Sequence, residues 1–243
     1  KVLDEDSGQR TGGFIITLRY SFRESRKMFI PRESKKKREA RVREIMARLD
    51  AHYGDHPMIF LEAKNAWQLL FATILSAQCT DARVNMVTEK LFKKYKSLED
   101  FASCDLQELE EDIHSTGFYH NKAKNIKACA TVLVEEYGGE VPKDIDSLTA
   151  LPGVGRKTGN LILGNIFHIP SIVVDTHVKR ISNRLGLADS SDPTKTEFQL
   201  MEVLPKEFWI RWNTHIIALG RSLCTSQKPK CELCYLNDLC PSV

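Results

Sequence analysis

Two stretches of this 243-residue chain hold side chains whose type and spacing suit chemistry. The first is Cys224, Cys231, Cys234 and Cys240, spaced C-x6-C-x2-C-x5-C. Four thiolates so close together can ligate a tetrahedral zinc or the four iron corners of a cubane cluster. Zinc ribbons usually present two tight C-x2-C knuckles and this chain has one, which favours a [4Fe-4S] cluster. The intervening TSQKPK, EL and YLNDL are polar and loop-like, unlike the surroundings of unligated core cysteines. Such a cluster can pin a loop that has no core of its own, with Lys228 and Lys230 projecting from it toward phosphates. Cys79, Cys104 and Cys129 stand alone and read as small core residues.

The second stretch is LPGVGRKTGN, residues 151–160. A G-V-G turn that opens directly into a helix exposes backbone N–H groups at a helix N-terminus, and Gly153 and Gly155 let an anion approach closely. A nucleotide-binding P-loop needs a longer G-x4-G-K-[ST] spacing and a Rossmann turn needs a preceding strand, so neither applies. A plain helix–helix turn is the competing reading. Lys157 sits in the first turn of the second helix, where the helix dipole disfavours an ammonium. A nucleophilic lysine must shed its proton near neutral pH, which costs about 4 kcal/mol. A helix end supplies only about 0.3–1 kcal/mol, so burial or other cations must supply the rest. Eighteen residues on, VDTHVKR (174–180) follows the apolar IPSIVV. Asp175 is a natural cap for a helix starting at Thr176. It is also a carboxylate at the mouth of an apolar cleft, able to stabilise positive charge or relay protons.

The elements that must position these residues read as helices almost throughout. Ser34 caps KKKREARVREIMARLDAHY, in which Val42, Ile45, Met46 and Leu49 form one apolar stripe opposite a basic face. WQLLFATILSAQ (67–78) is apolar all round and reads as a buried helix. Asp81 then caps ARVNMVTEKLFKKY, with Val84, Val87, Leu91 and Phe92 on one side. Further helices are predicted over 105–114, 121–137, 144–150, 157–167, 175–185, 194–204 and 207–222, punctuated by glycines and prolines. IVV at 172–174 is the best candidate strand, and it is ambiguous. The expectation is an all-α protein of about ten helices.

Composition excludes several classes. Hydrophobic residues make up 42% and charged residues 28%, which is ordinary for a globular protein and unlike a collagen, coiled coil or disordered chain. The longest uncharged runs, 65–80 and 160–174, fall short of the roughly 20 apolar residues a membrane span needs. Asp4, Glu5 and Asp6 occupy the region where a secretory leader is basic, and FIITL (14–18) is too short for its apolar segment. A bacterial cytoplasmic protein is expected, in which clustered thiols bind metal rather than form disulfides. The net charge is only +3, yet residues 10–48 hold thirteen Lys/Arg against four Glu. That basic arm fits either nucleic acid or a solvated helix face.

LPGVGRKTGN, VDTHVKR and the cysteine tail, in that order, resemble the helix-hairpin-helix DNA glycosylases, and among them the endonuclease III family. LLFATILSAQCTD (69–81) and GFYHNKAKNI (117–126) are similar to it too, and the likeness spans about 35–241. The resemblance implies two helical domains flanking a DNA-binding cleft. One is a six-helix domain over about 59–170 that holds the hairpin. The other is an iron–sulfur cluster domain built from 34–58 and 171–243, with 1–33 an N-terminal extension. It implies a monomeric base-excision-repair enzyme, a bifunctional DNA glycosylase and AP lyase for oxidised pyrimidines in duplex DNA.

By the same resemblance Lys157 is the nucleophile, Asp175 the essential aspartate, and Cys224, Cys231, Cys234 and Cys240 the cluster ligands. Gln78 matches the residue that fills the gap left by an everted base. Phe118 stands where the family often has a smaller aliphatic wedge. The amides of Gly153 and Gly155 would hold a phosphate, with Arg221, Lys228 and Lys230 adding salt-dependent affinity. Two other readings stay open: a mismatch or 8-oxoguanine glycosylase on the same scaffold, and a noncatalytic cluster-containing DNA-binding protein. The second needs neither Lys157 nor Asp175.

Overall fold

The structure, a computed structural model, describes residues 33–55 and 60–243. The proposed extension therefore lies outside the described residues except for Glu33. The described chain is helical: α1 (Lys35–Tyr53), α2 (Ala66–Leu75), α3 (Asp81–Lys94), α4 (Leu98–Ser103), α5 (Leu106–Ile113), α6 (Tyr119–Tyr137), α7 (Ile145–Ala150), α8 (Arg156–Asn165), α9 (Thr176–Arg184), α10 (Pro193–Val203) and α11 (Trp209–Ser222). Short 3-10 turns follow α5, precede α11 and punctuate the C-terminal segment.

Local chemistry explains most helix starts. Ser34, Asn65, Thr80, Asp105, Asp144, Asp175 and Asp192 each cap a helix by accepting a backbone N–H from three residues on. The cap of α3 corrects the sequence expectation: Thr80 accepts from the Arg83 amide, and Asp81 is the first helical residue. There Asp81 still complements the helix dipole. Periodicity runs the second helix to Gln78, but α2 stops at Leu75, because Gln78 takes a left-handed φ of 53°. The six-residue α4 is too short to show a period. It is held by a reciprocal capping box between Ser97 and Asp100.

Two apolar clusters form. One draws on residues 61–163, with Phe71, Phe101, Ile126 and Leu133 fully buried. Its aromatics meet edge-on: Trp67 and Phe92 at 5.4 Å, Phe71 and Phe101 at 5.0 Å. The other gathers Val42, Ile45, Met46 and Leu49 of α1 with residues 172–236, including fully buried Trp212 and Ile216. Thus α1 packs against the far end of the chain. Its basic face is partly spent there: Arg41 donates to the carbonyls of Leu185 (2.7 Å) and Leu239 (3.3 Å), and Arg48 to that of Tyr235 (2.8 Å) and to Asp238. The Arg41 guanidinium also holds the Glu33 carboxyl below its usual range.

The IVV segment is not a strand, and among the described residues there is none. Its carbonyls bond to side-chain amides instead. Asn160 Nδ2 donates to Ile172 O and Asn213 Nδ2 to Val173 O, both at 3.1 Å. These bonds hold the segment, whose Ile172 and Val174 join the second cluster, where it delivers the chain to Asp175.

Candidate active site

The hairpin is built as its residue types require. Between α7 and α8 the chain turns at Gly153 with φ 77°, a left-handed conformation natural to glycine. A Cβ at Gly153 would lie 2.8 Å from Asn125 Cβ, whereas one at Gly155 would meet nothing within 4 Å. Space for a ligand is thus open at Gly155. Helix α8 has no side-chain cap, and among the described residues the Gly153 and Gly155 amides donate to no turn or loop carbonyl. These N–H groups are therefore free to donate to an anion at the helix N-terminus.

Lys157 lies in the first turn of α8 and is exposed. The burial that the sequence argument asks for is absent from the protein alone. The nearby cations are engaged as well: Arg156 forms a two-pronged pair with buried Glu197 at 2.8 Å, and Arg221 pairs with Asp81 at 3.0 Å. Asp175 is partly buried and caps α9, its Oδ1 accepting from the Val178 amide at 2.7 Å. Oδ2 has no hydrogen bond among the described residues.

Tertiary structure brings these two residues together. Lys157 and Asp175 line one cleft of about 370 Å³, walled on one side by residues of the first apolar cluster and on the other by residues 173–175 and α11. Phe60, Leu61, Leu69 and Leu161 make it apolar, while Asn213, Thr214, His168 and Arg221 contribute polar atoms. A mostly apolar pocket with a few convergent polar groups is the usual form of a small-ligand or base site. Gln78 and Phe118 sit elsewhere, exposed at turns. Both have left-handed φ, 53° and 51°, and Phe118 is 64% exposed. Lys228 is exposed on the cysteine loop, and Lys230 borders the cavity beneath that loop, so neither is at the cleft.

That second cavity, about 70 Å³, is ringed by Cys224, Cys231, Cys234 and Cys240 together with Ile181, Leu185, Leu219 and Leu236. No histidine or carboxylate lines it, and soft thiolates alone select zinc, copper(I) or an iron–sulfur cluster. Among the described residues no three His, Cys, Asp or Glu side chains converge on a single-ion position. The four thiols all border one cavity, where a group they ligate would sit. Arg184 Nη1 donates to Cys224 Sγ at 3.2 Å, and Arg180 Nη2 to the Cys224 carbonyl at 2.9 Å. Both cations favour the anionic cluster that four thiolates make.

Comparison with known proteins agrees with this geometry. Residues 71–206 match the HhH-GPD superfamily of base excision DNA repair proteins. Residues 224–240, running from the first clustered cysteine to the last, match the iron–sulfur binding domain of endonuclease III. Endonuclease III of Synechocystis sp. is 51% identical over 183 residues, covering 75% of this chain and 84% of the relative. The chain belongs to the endonuclease III family. The endonuclease III of Bacillus subtilis is 48% identical over 186 residues, covering 76% and 85%. A solved structure of a trapped endonuclease III–DNA covalent intermediate superposes with a TM-score of 0.78 at 42% identity, covering 86% of this chain and 97% of that one. As a member of the family the chain is a DNA glycosylase of base excision repair. It binds DNA and carries a [4Fe-4S] cluster, whose chemical demands the four-thiol cavity fits.

Several residues that shape this endonuclease III site escape sequence reasoning. His168 reaches the cleft from a left-handed turn after α8, φ 53°. Asn160 and Asn213 hold the segment that leads to Asp175. A non-glycine left-handed residue has no sequence signature, and an asparagine inside a helix ordinarily signals only poor helix propensity. No helix among the described residues is long and apolar enough to cross a membrane.

Proposed function

We propose that this enzyme excises oxidised pyrimidines from duplex DNA and then cleaves the strand on the 3′ side of the abasic site, through a Schiff base on Lys157. The observation that carries this reading is that Lys157 and Asp175, from two different helix N-termini, line one apolar cleft. A damaged base within the duplex is inaccessible and must be everted into that cleft. DNA then covers Lys157 and provides the desolvation that the free protein does not. The neutral Nζ attacks C1′, the C1′–N bond breaks, and the base leaves with its electron pair and takes up a proton. Nζ then loses a proton and its lone pair expels the ring oxygen, which takes up a proton as the C1′–O4′ bond breaks, and the resulting iminium acidifies the C2′ proton. Loss of that proton expels the 3′ phosphate, and water later frees Lys157. Asp175, with Oδ2 unengaged, stabilises the cationic sugar and assists the proton transfers.

The same reading assigns the binding residues. Gln78 fills the gap left by the everted base, and Phe118 wedges beside the opposite one. The Gly153 and Gly155 amides hold a phosphate, and Arg221, Lys228 and Lys230 attract the backbone. Cys224, Cys231, Cys234 and Cys240 ligate the cluster, which when bound supplies the centre that orders the C-terminal loops. The domains are 59–170 and the combination of 34–58 with 171–243, and the protein works as a monomer in the bacterial cytoplasm.

The deciding experiment is borohydride trapping on duplex DNA that contains an abasic site or thymine glycol. The wild type is expected to form a covalent adduct that Lys157→Ala cannot. No adduct from cluster-loaded wild type that binds DNA would replace this mechanism with a purely hydrolytic glycosylase.

A further inference from the structure

Lys122 has no part in the chemistry described, yet it is the most unusually placed cation in the described chain. It lies in α6, is 4% exposed, and has no carboxylate partner among the described residues. Burial pushes its ammonium below the ordinary lysine range. A methionine of similar length would fill the same space without that penalty, so the charge needs a reason.

The reason lies in what the ammonium touches. Nζ donates to two backbone carbonyls, Leu75 O and Thr116 O, each at 2.8 Å. Leu75 ends α2, and the exposed left-handed Gln78 follows three residues later. Thr116 ends the 3-10 turn His114–Thr116, and the exposed left-handed Phe118 follows two residues later. The Lys122 amide also donates to Phe118 O at 3.1 Å. One residue therefore ties both turns, and each turn holds one of the three described non-glycine residues in a left-handed conformation, which such residues resist.

We propose that Lys122 is a positioning residue: its buried ammonium, bonded to Leu75 O and Thr116 O, sets the spacing between Gln78 and Phe118, the two side chains that enter the duplex around the everted base. This rests on the reading of Gln78 and Phe118 given above. Two loops held by one donor move as a unit, so filling the gap and wedging the opposite strand become a single event. A small misplacement at such a site costs far more in rate than in stability.

The test is a ratio of two rates. One is single-turnover excision of thymine glycol from a duplex, which requires eversion. The other is borohydride trapping on a single-stranded oligonucleotide with an abasic site, which requires Lys157 but no gap to fill. Lys122→Met is expected to lower the duplex-to-single-strand ratio by about tenfold or more. In a Gln78→Ala/Phe118→Ala background it is expected to lower the ratio no further. An unchanged ratio in folded Lys122→Met, or a full second drop in that background, would overturn the proposal.

Gln78→Ala and Phe118→Ala tested singly separate the two levels. If neither moves the ratio, the reading of those side chains fails. If both do while Lys122→Met does not, only the positioning role fails. Hydrogen exchange on the unaltered protein guards against a variant that does not fold. The Cys79 and Gly117 amides, which donate to Ser76 O and His114 O, are expected to show matching protection and to open together. Protection factors that differ by about a hundredfold or more would show two independent loops and overturn the proposal.

Discussion

Residues 61–163 and the cluster formed by 42–49 with 172–236 reach order by different routes. The first is a sequence-contiguous core in which Trp67, Phe71, Phe92 and Phe101 interlock edge-on. The second has a comparable core around Trp212, but its last twenty residues contribute Leu236 as their one buried hydrophobic side chain. Ordering a residue costs about 1–2 kcal/mol of backbone entropy, which one leucine and two 3-10 turns do not offset over that length. Ligation, together with the grips of Arg41, Arg48 and Arg184 on backbone carbonyls, must make up the difference. Apolar area can stabilise a scaffold, whereas a surface loop with one buried leucine has to be held by bonds.

The largest test of this contrast is removal of the iron. Chelation, or Cys234→Ser, is expected to strip protection from residues 224–243 and then from α1, while α2–α8 keep theirs. A tightly held group stabilises the native state by about 4 kcal/mol or more. Hydrogen exchange reads it region by region, and equal loss in both regions would erase the distinction.

Next in size is Phe101→Ala, which empties the centre of the aromatic core and should cost about 3–5 kcal/mol. Denaturant unfolding measures the loss, and the iron–sulfur absorbance should persist under native conditions. Bleaching of that absorbance would mean the two regions are not separately stabilised.

Gly153→Ala falls below these. The left-handed φ and the 2.8 Å approach to Asn125 together call for about 1–2 kcal/mol. Affinity for abasic duplex should weaken with a shallower salt dependence, because one phosphate is no longer held. An unchanged salt slope would remove the hairpin from the DNA contact.

The smallest effect lies in the second core. His215 is fully buried with Nε2 bonded to Asp50 at 2.8 Å, and burial pushes its pKa down. Above about pH 6.5 both folded and unfolded forms are neutral. As the pH falls below that value the unfolded chain takes up a proton that the native ring refuses, so stability declines. Between pH 7.5 and 5.5 the wild type should lose about 1 kcal/mol more than His215→Gln. Parallel curves for the two proteins would discard this account.

How much of this was legible beforehand follows from the range of the forces involved. Caps at Ser34 and Asp175, the apolar stripe of α1 and the hairpin turn depend on bonds within about four residues, so residue type and spacing reveal them. The cysteine spacing is legible for a similar reason, since loop length limits which thiols can meet. The misassigned cap at Asp81 and the missed α4 are local as well, lost where two capping residues adjoin or a helix is shorter than two turns.

The convergence of Lys157 with Asp175, Arg221 and His168 has no local cause. It arises because residues 173–175 and α11, far along the chain from Lys157, face it across the cleft while the other side of α11 is buried against α1 and α9. The exposure of Lys157 and the burial of Lys122 are set in the same way, by packing between distant segments. One-dimensional order records which hydrogen bonds a residue can make with its neighbours. Which side chains lose water, and which are left facing a cleft, follows from burial of surfaces far apart along the chain.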